Sequence, residues 1–550
     1  MTTAARNKNA KIPAIEKLRF LIIDDFESFR LSMRQILRSL GAEHIEVCGN
    51  GATALQRCTY ENFDVVLCDF NLGTGKNGQH VLEELRHRKL IKCTSLFIMV
   101  TAETSKEMVM GAREHQPDAY LSKPINQAMM AQRMSALILQ RTTLAPINRE
   151  IELENFPAAV SLCVQMLPQQ PRYKTWILKT LSDLYFRMGD FNHARQVCED
   201  VLQVRDIPWA RLGLANTYIA EQRYDEASSI LQSLIANQPD YVEAYDAFAR
   251  SLAAQGKLAA AQRILERAAE RSPHAILRQQ QLARIASDNQ DIAAASQAWR
   301  RTIELGKHSI HDSATHYLEL ARSLSELCED DESEHGQALA SEASTTLLAL
   351  QRRFKEDQNA CTRAALIQAR VHAGQQQTGD AEALLEGVLP ADPVNTMETD
   401  VSLELAQTLY ALKRSSEAEA ILAELAQRHT DEPDIQHKIE ALLDEPVSFK
   451  KKMSARQLNK QGIAAFEQDN PEAAAKAFRE ALTFVPNHAA LNLNLIQVRL
   501  SQGAGKPGTK EWIQECKGCI EALNSLPDGH RQYKRFRTLK AKVEALSDDS

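Results

Sequence analysis

DVVLCD, residues 64–69, runs through four apolar side chains without alternation and ends on a carboxylate. A strand with one wet face alternates apolar and polar residues. A run that does not alternate suits a strand covered on both faces, as in a parallel sheet wrapped by helices. Four more short apolar runs share this character, namely RFLIID (19–24), HIEVC (44–48), SLFIMVT (95–101) and AYLS (119–122). Between and after them, residues 27–40, 51–60, 78–90, 104–114 and 126–140 carry apolar positions at three-to-four spacing, as helices do. The pattern predicts an α/β doubly wound fold with a five-stranded parallel sheet, filling residues 13–141.

Such sheets bind ligands beyond the carboxyl ends of their strands, near the point where the strand order reverses. The residues at those ends are Asp24 and Asp25 after the first strand, Asp69 after the third, Thr101 after the fourth and Lys123 just past the fifth. Three carboxylates meeting at one edge repel one another unless a cation sits among them. Hard oxygen ligands with retained waters suit Mg²⁺, and Mn²⁺ fits the same set. A lysine ammonium adds compact positive charge and a threonine hydroxyl adds a directional hydrogen bond. Together they describe a site where Asp69 receives a phosphoryl group. One acidic residue at a strand end is ordinarily a cap or a solvated turn. A full set on separate strands is not explained that way.

In order and spacing, Asp24-Asp25, Asp69, Thr101-Ala102, Tyr120 and Lys123-Pro124 resemble the signature of response-regulator receiver domains, whose sheet is of the flavodoxin-like type. The resemblance implies that Asp25 and Asp69 ligate Mg²⁺ directly, with the backbone carbonyl of Asn71 as a third ligand and Asp24 acting mainly through coordinated water. It makes Asp69 the phosphoacceptor and Lys123 the partner of the phosphoryl oxygens. Thr101 and Tyr120 form the switch pair, Ala102 keeps the approach open, and the Lys123–Pro124 peptide is cis in family members. The loop after Asp69, FNLGTGKNG (70–78), departs from the family. Many receivers have Met-Pro there and a glycine eight residues on, whereas Gly78 lies nine on. This bears on the lifetime of the acyl phosphate rather than on its formation.

From about residue 150 the chain changes character and repeats itself near every 34 residues. Ala194, Ala227, Ala261 and Ala295 are 33, 34 and 34 residues apart, each where two helices of a unit would cross. Gly189 and Gly256 fall in the turn inside a unit, and Pro239 and Pro273 stop second helices. With Tyr185 and Tyr218 in the first helices, these units resemble the tetratricopeptide repeat. The expected layout is a linker and incomplete first repeat at 142–172, repeats over 173–445 that are degenerate in 306–398, and a second block with C-terminal helices over 446–550. Stacked helical hairpins make an all-α solenoid with an extended concave groove for a protein partner.

The formal net charge of −7 leaves no broad basic surface, which argues against nucleic acid as a partner. No stretch approaches the about 18 apolar residues that span a bilayer, and the first residues lack the apolar core of a signal peptide, so a cytoplasmic location is expected. Ten scattered cysteines, several in apolar runs, fit free and partly buried thiols. Cys516 and Cys519 form a lone CKGC without the second pair that zinc needs. His80, His87 and His115 are expected on the receiver's surface. The chain shows no P-loop, dinucleotide glycine motif or nucleophile elbow, so it is not read as an enzyme. The expected function is a response regulator that accepts phosphate on Asp69 from a sensor histidine kinase and signals through protein contacts of the repeat arm. The alternative is a phosphate sink or inhibitor that grips a kinase or another regulator. Kinase, arm target and oligomeric state stay open.

Overall fold

The computed structural model describes residues 15–102, 117–390, 396–444, 449–502, 509–524, 526 and 532–548. The helix expected at 104–114, and His115 after it, lie outside them, as do residues 445–448 in the expected break between repeat blocks. The chain divides into two compact units, Met1–Ser313 and Ala314–Ser550.

The first unit opens with five strands: β1 (Arg19–Ile23), β2 (His44–Cys48), β3 (Val65–Asp69), β4 (Leu96–Thr101) and β5 (Ala119–Ser122). All pair in parallel, in the order β2-β1-β3-β4-β5. Helices α1 (Glu27–Ser39), α2 (Gly51–Tyr60), α3 (Gly78–His87) and α4 (Gln127–Glu152) accompany them. Side chains alternate across each strand, so one apolar run feeds two cores. Phe20, Ile22, Val65, Leu67, Ile98 and Val100 pack with Met33 and Leu37 of α1 and Met130 and Met134 of α4. Leu21, Ile23, Val66, Cys68, Phe97 and Met99 pack with Leu55 of α2 and Val81, Leu82 and Leu85 of α3. Each such side chain contributes roughly 1.5–3 kcal/mol when fully buried. This two-sided burial is why the strands read as unbroken apolar runs. The order reverses at β1, which stands between β2 and β3, so the ends of β1 and β3 lie side by side.

Helix α4 does not stop where the sheet ends. Met130, Met134 and Ile138 belong to the receiver-side core. Further along the same helix, Leu144 and Ile147 pack with Ala159, Cys163, Ile177 and Leu181 of the first helical hairpins. The helix even carries Pro146, which gives up one backbone donor. One rod is therefore shared by two hydrophobic cores.

From Lys174 the hairpins of this unit pair helices of 13 to 15 residues, such as Lys174–Arg187 with Phe191–Val204 and Ile276–Asp288 with Ile292–Gly306. Ala194, Ala227, Ala261 and Ala295 are fully buried where the paired helices cross. The turns inside successive hairpins each need one left-handed residue, at Gly189 (φ +74°), Gln222 (+60°), Gly256 (+72°) and Gln290 (+64°). Glycine fills two of these positions. The two glutamines hold the same conformation at a cost of about 1–2 kcal/mol each.

The second unit continues as helical hairpins. Glu334–Arg353 has 20 residues and Gln358–Gly374 has 17, longer than those before. The extra length displaces landmarks from the 34-residue spacing, which is why the repeat fades over 306–398. Glu404, on the helix Thr399–Ala411, is fully buried. Its Oε1 accepts from an Arg370 guanidinium nitrogen at 2.6 Å and its Oε2 from Arg322 Nε at 3.0 Å, with Arg363 Nε 3.6 Å away. Arg322 also reaches Glu319, and Arg370 reaches Gln407. Burial alone would raise the Glu404 carboxyl, but Arg322 and Arg370 hold it down to about 2. One carboxylate thus joins the first helices of three consecutive hairpins. Near the C-terminus Cys516 and Cys519 are buried among Phe478, Leu495 and Phe536, and burial raises their thiols to about 11 and about 12. Among the described residues no helix is long and apolar enough to cross a membrane.

Candidate functional site

The β1–β3 register sets the site. Ile23 pairs with Cys68, which places the next residues, Asp24 and Asp69, side by side at the carboxyl edge. Asp24 and Asp69 are buried, Asp25 is exposed, and one oxygen from each carboxylate lies within 4.8 Å of the others. Lys123 Nζ donates to Asp24 Oδ2 and to Asp69 Oδ2, both at 2.8 Å. The Lys123 amide donates to the Thr101 carbonyl at 2.8 Å, and the Lys123–Pro124 peptide is cis. Sequence reasoning missed Phe29 and Arg30. The ammonium sits 4.1 Å from the centre of the Phe29 ring, and Arg30 donates to the Asp24 carbonyl at 2.6 Å. Both occupy α1 positions that in sequence read as ordinary first-turn residues.

The charges do not cancel. Three carboxylates and one ammonium leave a deficit that suits a divalent cation. Burial pushes the Asp69 carboxyl up; Lys123 opposes this, and the charges of Asp24 and Asp25 add to the rise. Burial works against the Lys123 ammonium, but its hydrogen bonds to Asp24 and Asp69 hold its pKa above the ordinary value. Carboxylate oxygens gathered within 4.8 Å of one another are the hard donor set that a Mg²⁺ would take. Asp24 has its oxygens engaged, Oδ2 by Lys123 and Oδ1 by the Phe26 amide at 2.9 Å.

Thr101 ends β4. Met99, two residues before it, pairs with Tyr120 of β5, so Thr101 and Tyr120 project from one face of the sheet. Tyr120 is partly buried against the core that contains Phe97 and Met99. Asn71 is exposed, and its side-chain oxygen accepts the Gly73 amide at 3.3 Å. The long loop still closes on a glycine: the Gly78 amide donates to the Phe70 carbonyl at 2.8 Å, and a Cβ at Gly78 would overlap the Asp69 carbonyl oxygen.

His80 departs from expectation. It is buried, not on the surface, and forms a capping box with Asn77 at the start of α3. The Asn77–His80 spacing carried that signal. His87 is exposed at the end of the same helix.

Known proteins match in the same two parts. The response regulator receiver domain model matches residues 20–135, and tetratricopeptide repeat models match 204–251, 372–442 and 459–506. The chain is similar to chemotaxis protein CheY-3 of Vibrio cholerae, 30% identical over 134 residues, which are 24% of this chain and 95% of that protein. It is also similar to chemotaxis protein CheY of Pseudomonas aeruginosa, 28% identical over 120 residues, 22% of this chain and 95% of that protein. A solved structure of the chemotaxis response regulator CheY4 of Vibrio cholerae is 23% identical, covering 22% of this chain and 98% of that one at a TM-score of 0.21. A receiver domain implies phosphorylation-dependent response regulation, and tetratricopeptide repeats imply protein interactions. Both are non-enzymatic modules.

Proposed function

We propose that this chain, which belongs to the response regulator receiver family over residues 20–135 and carries tetratricopeptide repeats beyond it, takes a phosphoryl group from a sensor histidine kinase onto Asp69 and signals through its repeat arm in the cytoplasm. The observation that carries this reading is the Lys123 ammonium shared between Asp24 and Asp69 beside a third carboxylate.

Asp25, Asp69 and the Asn71 carbonyl would hold a Mg²⁺, with Asp24 acting through water, and the ion would supply charge neutralisation at the phosphoryl oxygens. The rest falls to side chains. An Asp69 oxygen bonds to phosphorus as the bond from phosphorus to the kinase's histidine nitrogen breaks. The electron pair stays on that nitrogen, which then takes a proton. Lys123 transfers its hydrogen bond from the Asp69 carboxylate to a phosphoryl oxygen. The added charge of about −1.5 to −2 draws in the Thr101 hydroxyl, and Tyr120 turns into the space that Thr101 leaves. The experiment is labelling of purified protein by acetyl phosphate and Mg²⁺, in wild type and Asp69→Asn. Label is expected on wild type alone, and label that persists in Asp69→Asn refutes the assignment.

A further inference from the structure

Helix α3 is buried on two sides. Val81, Leu82 and Leu85 face the sheet, and Gln79, His80 and Glu83 are buried as well. On a helix that covers a sheet, polar residues of this kind ordinarily face water. Two hydrogen bonds identify part of what meets them here. Lys76 Nζ donates to the His308 backbone carbonyl at 2.7 Å, and the His80 ring bonds to the Leu305 backbone carbonyl. His80 Nδ1 accepts the Asn77 amide at 3.3 Å, which leaves Nε2 to carry the ring proton and donate. Leu305 and His308 lie in and just after the last turn of the helix Ile292–Gly306. Carbonyls at a helix C-terminus lack intrahelical partners and carry the negative end of the dipole. An ammonium and an imidazole N–H suit that terminus. Both contacts lie inside the compact unit Met1–Ser313.

The donor side of this contact is tied mechanically to Asp69. Residues 70–77 alone connect Asp69 to α3. The Gly78 amide is bonded to the Phe70 carbonyl, Asn77 caps the helix, and Lys76 is braced by Glu84 Oε2 at 2.7 Å. A Cβ at Gly51 would stand 3.2 Å from Lys76 Cβ, so the loop has little room to move without shifting its tip. A phosphoryl group on Asp69 and a ligand on the Asn71 carbonyl both act on the loop's first residues. Hydrogen bonds weaken steeply with length and angle, so a shift of about 1 Å at Lys76 is enough to break its bond.

We propose that Lys76 and His80 latch the unphosphorylated receiver onto the C-terminal turn of the Ile292–Gly306 helix, and that phosphorylation of Asp69 opens this latch. The inference rests on Asp69 as the acceptor and adds how the repeat arm senses it, through the loop after β3 and the outer side of α3. Coupling of this kind is reciprocal: if the loaded receiver disfavours the latch, breaking the latch favours the loaded receiver by the same factor.

The test is hydrogen exchange on the full-length protein, with and without beryllofluoride and Mg²⁺, read in peptides covering 70–80, 301–313, 20–26 and 119–124. In wild type, loading is expected to speed exchange in 301–313 at least about fivefold, the low end of typical coupling. Lys76→Ala, and separately His80→Leu, are expected to show that faster exchange without beryllofluoride and to reach half-loading at a several-fold lower beryllofluoride concentration. Lys76 is partly exposed and outside the acceptor site, so its variant keeps the test alive if His80→Leu fails to fold. Protection gained at 20–26 and 119–124 with no change in 301–313 overturns the latch while leaving Asp69 as acceptor. No change in any of the four peptides overturns the acceptor reading and the latch with it.

Discussion

Glu404→Gln removes one charge from a place where three guanidinium groups meet. In the folded chain the Glu404 carboxyl is held at about 2 against an ordinary value of 4.5. That difference of some 2.5 units corresponds to roughly 3 kcal/mol of stability at neutral pH, at about 1.36 kcal/mol per unit. The sign follows from the depressed value. The stabilisation is complete above pH 4.5, falls as pH drops, and is nearly gone at pH 2. At pH 3 less than half of it should remain. Gln also leaves Arg322, Arg363 and Arg370 facing one another, so the neutral-pH loss should lie between about 3 and 5 kcal/mol. For a unit of this size, that lowers its melting transition by roughly 6–20 °C. The assay is thermal or urea unfolding of the full-length chain by circular dichroism, wild type against variant, at pH 7, 4 and 3. A variant within about 0.5 kcal/mol of wild type at pH 7, or a gap that widens as pH falls, refutes the reasoning.

Lys123→Ala should cut the rate of labelling by acetyl phosphate roughly 10²- to 10³-fold, the usual loss when one charge-stabilising group is removed; a loss under threefold in a labelling time course shows that Lys123 has no such role. Gly78→Ala forces a methyl group onto the Asp69 carbonyl oxygen, so urea titration should show a loss of about 1–3 kcal/mol, and an unchanged midpoint contradicts the close approach. Gln290→Gly should stabilise the chain by up to about 1 kcal/mol, because glycine takes a left-handed conformation freely. A lower melting temperature for that variant means the Gln290 side chain matters more than its backbone angle.

The sheet was legible because parallel strands buried on both faces leave unbroken apolar runs. All five expected strands are present, to within a residue or so at their ends. Asp24, Asp25, Asp69 and Lys123 were legible because a parallel register fixes which strand ends are neighbours. The outer side of α3 was not. Its partners at 305 and 308 are backbone carbonyls, which leave no mark on residue identity, so His80 read as a surface histidine. Glu404 was hidden for another reason: in LELAQ it looks like any helical glutamate, and only the stacking of three hairpins brings its arginines together. α4 runs past the expected helix end at 140, because Met130, Met134 and Ile138 satisfy one core while Leu144 and Ile147, in the stretch expected as linker and incomplete first repeat, serve another.

That shared rod makes the two modules sensitive to angular phase. Each residue inserted or deleted between Ile138 and Leu144 would turn everything downstream by about 100° and shift it by about 1.5 Å along the axis. A transplanted receiver would have to match this pitch as well as bring a working acceptor. An insertion of seven residues, close to two whole turns, would restore the phase that two or five destroy, yet its shift of about 10 Å along the axis would still part Lys76 from the His308 carbonyl.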